Sequence, residues 1–186
     1  MTLLLSIAML MAFCASCAKI ASARKPFVAS DAEYILKSGN NTLDVNAFLR
    51  QRGGTVVLCA ASQIELWPVT DFSRALVKDM VGSEDGGEYG GGSGQSSMTI
   101  EDSEQVRRLR EYARVQVCNS DGHAVFTGIP DGDYYLYIHL SWEDLTYTFF
   151  PYTTPRYVKT GSHLVDMVSL RGGQRLEHTM TRVVNQ

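Results

Sequence analysis

Apolar and polar positions alternate strictly between Tyr134 and Trp142. Tyr134, Leu136, Ile138, Leu140 and Trp142 fall on one side of an extended chain, and Tyr135, Tyr137, His139 and Ser141 on the other. That period of two predicts a long half-buried strand. Arg114–Cys118 (RVQVC) and His123–Ile129 (HAVFTGI) read as shorter strands. Thr42–Arg50 (TLDVNAFLR) reads as another, closed by Gly53-Gly54. Thr55–Ala60 (TVVLCA) and Ile64–Val69 (IELWPV) are β-branched and apolar, and predict two strands or one bulged strand around Ala61-Ser62-Gln63. Pro68 places the end of the second run at an edge or a bend. Leu145–Tyr152 (LTYTFFPY) reads as a strand or a covering loop. His163–Leu170 and Arg175–Val183, joined by Arg171-Gly172-Gly173, predict a terminal hairpin.

The period changes at Thr70. Phe72, Leu76 and Met80 recur every four residues behind a capping Thr70 or Asp71, which predicts an amphipathic helix. Gly82–Ser97 is a Gly/Ser tract that predicts a surface loop, and its glycines precede no phosphate-loop Lys-Ser/Thr. Glu101–Ala113 predicts a second helix, with Val106, Leu109 and Ala113 on one stripe. Asn119-Ser120-Asp121-Gly122 and Pro130-Asp131-Gly132-Asp133 are turn sequences. Short strands with regular turns predict a mainly β protein, an antiparallel sandwich interrupted by a helix–Gly-rich loop–helix insertion at 70–112.

The order strand, Ser-Asp-Gly, strand, then GIPDGDYYLYI resembles the bacterial carboxypeptidase regulatory-like domains of the transthyretin-like (prealbumin-like) β-sandwich superfamily. Asp121, Gly122, Val125 or Phe126, Ile129, Pro130, Gly132 and Tyr134 fit the core motif of those domains. The stretch GGTVVLCAASQIELWPVT, from Gly53 to Thr70, is similar to their opening pair of strands. Asn119 stands where the motif has its first Asp, and the insertion at 70–112 is not a family hallmark. The resemblance covers roughly 42–70 and 113–183. It implies a transthyretin-like or Ig-like sandwich and a rigid, non-catalytic module attached to something else at the cell surface or in the periplasm. In this frame Asp121-Gly122 sets a tight hairpin, Pro130 stiffens the next corner, and Gly132 takes the unusual dihedrals.

The chain opens on an apolar run, Leu3–Phe13, too short for a typical membrane span and of the length of a signal h-region. Two exits stay open. Ala21-Ser22-Ala23 is an A-x-A cleavage site, and Ala15-Ser16-Cys17 resembles the end of a lipobox, which would lipidate Cys17. The organisation expected is a signal or lipoprotein segment at 1–23, a linker at 24–40 and one sandwich domain at 41–186. The location expected is the periplasm or a lipid-anchored position on the outer membrane. Beyond the export segment two cysteines remain, Cys59 and Cys118. In an oxidising compartment they are a disulfide pair; the alternative is two buried thiols.

Charge narrows the partners. With 17 Lys and Arg against 20 Asp and Glu, the chain has no general attraction for nucleic acid. Arg107, Arg108 and Arg110 alternate with Glu104 and Glu111, which describes a solvated helix face. The four histidines, His123, His139, His163 and His178, stand in no HExxH or paired metal spacing, and no G-x-S-x-G elbow is present. No catalytic residue, metal or cofactor is expected. The candidate binding face is Tyr135, Tyr137 and His139 with Trp142, followed by Tyr147, Phe149, Phe150, Tyr152 and Tyr157. Exposed aromatics on a sheet stack on sugars or anchor a protein; the other reading is that an opposing sheet and the insertion helices cover both sides. The function expected is a structural or protein-interaction module with a cell-envelope protein partner. The alternative is a carbohydrate or cell-wall binding module using the aromatic face.

Overall fold

A computed structural model describes residues 25–51, 53–90, 103–148 and 154–184. Two sheets face each other. The first is ordered β2 (Val56–Leu58), β1 (Asn41–Gln51), β6 (His123–Ile129), with β9 (Arg175–Val184) also on β1. The second runs β4 (Gly86–Gly90), β8 (Thr154–Leu170), β7 (Gly132–Thr148), β3 (Gln63–Pro68), β5 (Arg114–Val117). All pairings are antiparallel except β1 with β9, which is parallel. The protein is therefore a β-sandwich. Its main core lies between the sheets, where Leu43, Val45, Ala47 and Leu49 of β1 meet Leu136, Ile138 and Leu140 of β7. Full burial of one such side chain contributes about 1.5–3 kcal/mol.

A third layer covers the outer face of the second sheet. Helix α2 (Asp71–Val81) starts at Thr70, whose hydroxyl accepts from the Ser73 N–H while Ser73 Oγ accepts from the Thr70 N–H. It ends at Gly82 with φ of 80°, a left-handed cap open to glycine. Helix α3 (Glu104–Arg110) follows, capped by Ser103. Phe72, Leu76, Val77, Val106 and Leu109 pack on Trp67, Tyr135 and Tyr137.

Several expectations need correction. The terminal hairpin does not form: β8 belongs to the second sheet, while β9 crosses to the first and lies parallel to β1. Gly172 and Gly173, with φ of 66° and 73°, turn the chain within the four residues, Arg171 to Gln174, that make that crossing. The two runs around Ala61-Ser62-Gln63 also lie in different sheets. Within the Gly-rich tract, Gly86–Gly90 forms an edge strand on β8 rather than loop; residues 91–97 lie outside the described residues.

The stretch read as a linker is folded from Lys25 onward. A short helix α1 (Ala29–Ala32) and a 3-10 turn (Glu33–Leu36) bury Phe27, Ala32 and Ile35. Tyr34 latches this segment by donating to the Asp133 carbonyl and accepting from the Val69 N–H. Arg114 clamps its end through the carbonyls of Ile35 and Lys37. Gly132 is needed for space, not for left-handed backbone: a Cβ there would lie 2.5 Å from the Tyr34 ring.

Cys59 and Cys118 form a disulfide with their Cα atoms 5.8 Å apart. Cys59 follows β2 and Cys118 follows β5, so the bridge ties one sheet to the other. Asn119 closes the following turn, its side-chain oxygen accepting from the N–H groups of Asp121 and His123.

Candidate functional site

The alternating row on β7 is the place to look for a binding face, and the helices decide how much of it is free. Tyr135 is fully buried, and its hydroxyl donates to the Glu84 carbonyl at 2.6 Å. Burial raises its pKa, as it does that of Tyr134 on the opposite side of the strand. Tyr137 is buried as well. Its ring stacks on Trp67 at 4.4 Å, and the Arg110 guanidinium lies 5.7 Å from its centre. Glu65 accepts from both the Trp67 indole and Arg110, which fixes this stack. The Tyr137 hydroxyl is 2.8 Å from His163 Nδ1, and the His163 ring stacks on His139 at 4.3 Å. The rings thus run outward from under the helices, and of Tyr135, Tyr137 and His139 only His139 is exposed. Trp142 points to the other side of the strand, is half-buried against the main core, and donates to Asp144. The expected continuous face of Tyr135, Tyr137, His139 and Trp142 is therefore not assembled, because helices cover its first half and Trp142 faces away.

The open surface lies further along the same strand. β3 accompanies β7 only as far as Ile138, and β4 accompanies β8 only as far as Ser162, which pairs with Leu140. From Ser141–Gly161 to Thr148–Thr154 the two strands pair with each other alone among the described residues. At about 3.3 Å per residue this two-stranded arm projects about 25 Å. Leu145 is 45% exposed, Tyr147 51% and Tyr157 69%. All three share one face, since Leu145 stands opposite Tyr157 and Tyr147 opposite Pro155. Nearer the root Glu143 stands opposite Lys159. A two-stranded ribbon is marginal in water by itself; here Trp142 roots it in the core.

Comparisons with known proteins reach the fold. No family model and no curated protein matches the sequence. A protein from Pseudomonas aeruginosa, provisionally named as carbohydrate binding, superposes with a TM-score of 0.63 at 17% identity, over 84% of this chain and 97% of that one. The two share a β-sandwich. The likeness spans nearly the whole of the Pseudomonas aeruginosa protein, so it takes in both sheets rather than one hairpin, and at this identity it speaks for fold alone. A minor pilin of Streptococcus agalactiae aligns over 81% of this chain and 47% of its own at 15% identity, with a TM-score of 0.32 that carries no argument.

The other face of the sandwich is also open to solvent. A shallow groove of about 480 Å³ there is lined by Asn46, Phe48, Val56, Leu58, Asp121 and Thr179. Among the described residues no group of three metal-ligating side chains occurs, and no helix is long and apolar enough to cross a membrane. Cys17, Ala21–Ala23, Phe149, Phe150 and Tyr152 lie outside the described residues. In the sequence Tyr147 and Tyr157 stand only as followers of the row from Tyr135 to Trp142. The usable signal was length: alternation that continues through Glu143, Leu145 and Tyr147 outruns the six residues of β3.

Proposed function

We propose that the chain is an exported, non-catalytic module of the cell envelope, anchored by a lipid on Cys17, that offers its β7–β8 arm to a protein partner. The observation that supports this reading most is the exposure of Leu145, Tyr147 and Tyr157 together on a ribbon that no third described strand supports. Apolar side chains grouped on a projecting two-stranded ribbon suit a partner surface. The interior disulfide suits an oxidising compartment. Polar side chains gathered elsewhere are used between strands, Asp44 with Arg175 and Asp166 with His178 and Arg182, which suits structure rather than catalysis.

The test places a photo-crosslinking residue at Tyr157 in the producing cell. A discrete protein adduct, absent when Leu145 and Tyr147 are changed to Ser, supports the reading. The second reading is carbohydrate binding, favoured by the name of the Pseudomonas aeruginosa neighbour and by two tyrosines whose rings can stack on sugar faces. Retention of the protein by a polysaccharide gel, lost in Tyr157→Ala, would replace the first reading with the second.

A further inference from the structure

We infer that the partner binds by adding a strand to the open edge of β7 along Glu143–Tyr147, and that the added segment is an extended, basic, alternately apolar peptide of another protein. This rests on the reading of the arm as a protein-binding element and says how that element would work.

The backbone supplies the first part. The Asp133 carbonyl accepts from the Val69 N–H, so the Asp133 backbone faces β3. On the far side, Met167 donates to Asp85, so Met167, the partner of Tyr135, faces β4. In an antiparallel ladder successive residues present their N–H and C=O to opposite neighbours. The register from Gly132 to Thr148 runs without a shift. Odd-numbered residues of β7 therefore face the β3 side throughout. Glu143, Leu145 and Tyr147 lie beyond the end of β3, so their N–H and C=O groups look along the sheet into an edge that no described strand fills.

The two edges of the arm differ. The β8 edge carries Pro155, Arg156 and Lys159, the residue types that discourage pairing. The β7 edge reads Trp142-Glu-Asp-Leu-Thr-Tyr-Thr148, rich in strand formers and free of proline, lysine and arginine. One edge is blunted and the other is left receptive.

Side chains set the partner's chemistry. An antiparallel strand would place its residues opposite Tyr147, Leu145 and Glu143 in that order, on the exposed face. Two apolar residues followed by a cation, at alternate positions, match those three. Asp144 adds negative charge on the opposite face of the same edge. The segment sought is thus apolar-x-apolar-x-basic.

The experiment titrates the full chain with a synthetic peptide, acetyl-Thr-Val-Thr-Val-Ser-Lys-Thr-amide, and follows amide exchange. Binding should slow exchange at Glu143, Leu145 and Tyr147 and leave Asp144 and Thr146 little changed. A peptide with Glu in place of Lys should bind at least about tenfold more weakly. Leu145→Ala should weaken binding about tenfold, whereas Leu145→Pro, which also removes the outward N–H, should abolish it. Tm readings check that both variants stay folded. Equal weakening by Ala and Pro, with no protection of the odd-numbered amides, would overturn strand addition while leaving a side-chain interface with a protein. No binding of the peptide overturns it too; if Tyr157-dependent polysaccharide retention accompanies that result, the protein reading also falls.

Discussion

Cutting the Cys59–Cys118 bridge is the sharpest test of how the two sheets are held. The cysteines are 59 residues apart in sequence, and the loop they close contains β3, both insertion helices, β4 and β5. In the chain-entropy account a loop of that size stabilises by about 4 kcal/mol, through the unfolded chain. The folded geometry does not depend on the sulfurs: Ala61 donates to the Cys118 carbonyl at 3.1 Å and Cys118 donates to the Ser62 carbonyl at 3.0 Å. A Cys59→Ala/Cys118→Ala variant should therefore keep the fold and lose about 4 kcal/mol. For a domain of this size that is a fall in Tm of about 8–16 °C. The assay is thermal unfolding by circular dichroism, with and without reductant. Wild type with its bridge reduced should melt close to the double variant, since both lack the same constraint. A fall of less than about 3 °C would refute this account, because the bridge would then hold nothing that the backbone bonds do not.

Three further outcomes follow from other contacts. Burial raises the Tyr34 hydroxyl to about 12, against about 10 for a free tyrosine. A raised folded pKa contributes stability fully present below pH of about 10 and lost as pH climbs toward 12; Tm should drop in that window, and less steeply in Tyr34→Phe, with Tyr134 and Tyr135 supplying the remainder. A Cβ on Gly39 would lie 2.1 Å from the Ile129 carbonyl oxygen and 2.3 Å from Pro130 Cα, so Gly39→Ala should cost more than about 3 kcal/mol in urea unfolding. Tyr147→Ser should leave stability within about 0.5 kcal/mol, as for an exposed position, while removing the partner adduct formed from position 157.

The alternation from Tyr134 to Trp142 made β7 legible, and the Thr70 cap with Phe72, Leu76 and Met80 made α2 legible, because both are local patterns. What stayed hidden depends on which surface receives an element. Nothing in Arg175–Val183 distinguishes a strand that folds back on β8 from one that crosses to β1. Gly86–Gly90 has almost no side chains to show a period, and its pairing comes from the backbone of β8. Phe27 and Ile35 sit in short apolar clusters, Phe27-Val28-Ala29 and Tyr34-Ile35-Leu36, too brief to show a period, so which of these residues is buried follows from contacts with Tyr112 and Arg114 far along the chain. The same holds for the candidate binding face. Tyr135 and Tyr137 look as free as Leu145 and Tyr147 in sequence, and only the reach of the helices and the shortness of β3 separate them.

The crossing of β9 back to β1 also sets when the domain can form. Asn41, at the head of β1, bonds to Gln174, 133 residues away. Folding slows as contacts join distant parts of a chain, and here the second residue of the first strand pairs with the opening residue of the last. Until β9 has been synthesised, β1 lacks a neighbour and Met180 is missing from the core. A nascent domain built this way stays incomplete until Arg175–Val184 are made, and a stop codon before Arg175 would leave a product with an open edge on its central strand rather than a smaller stable domain.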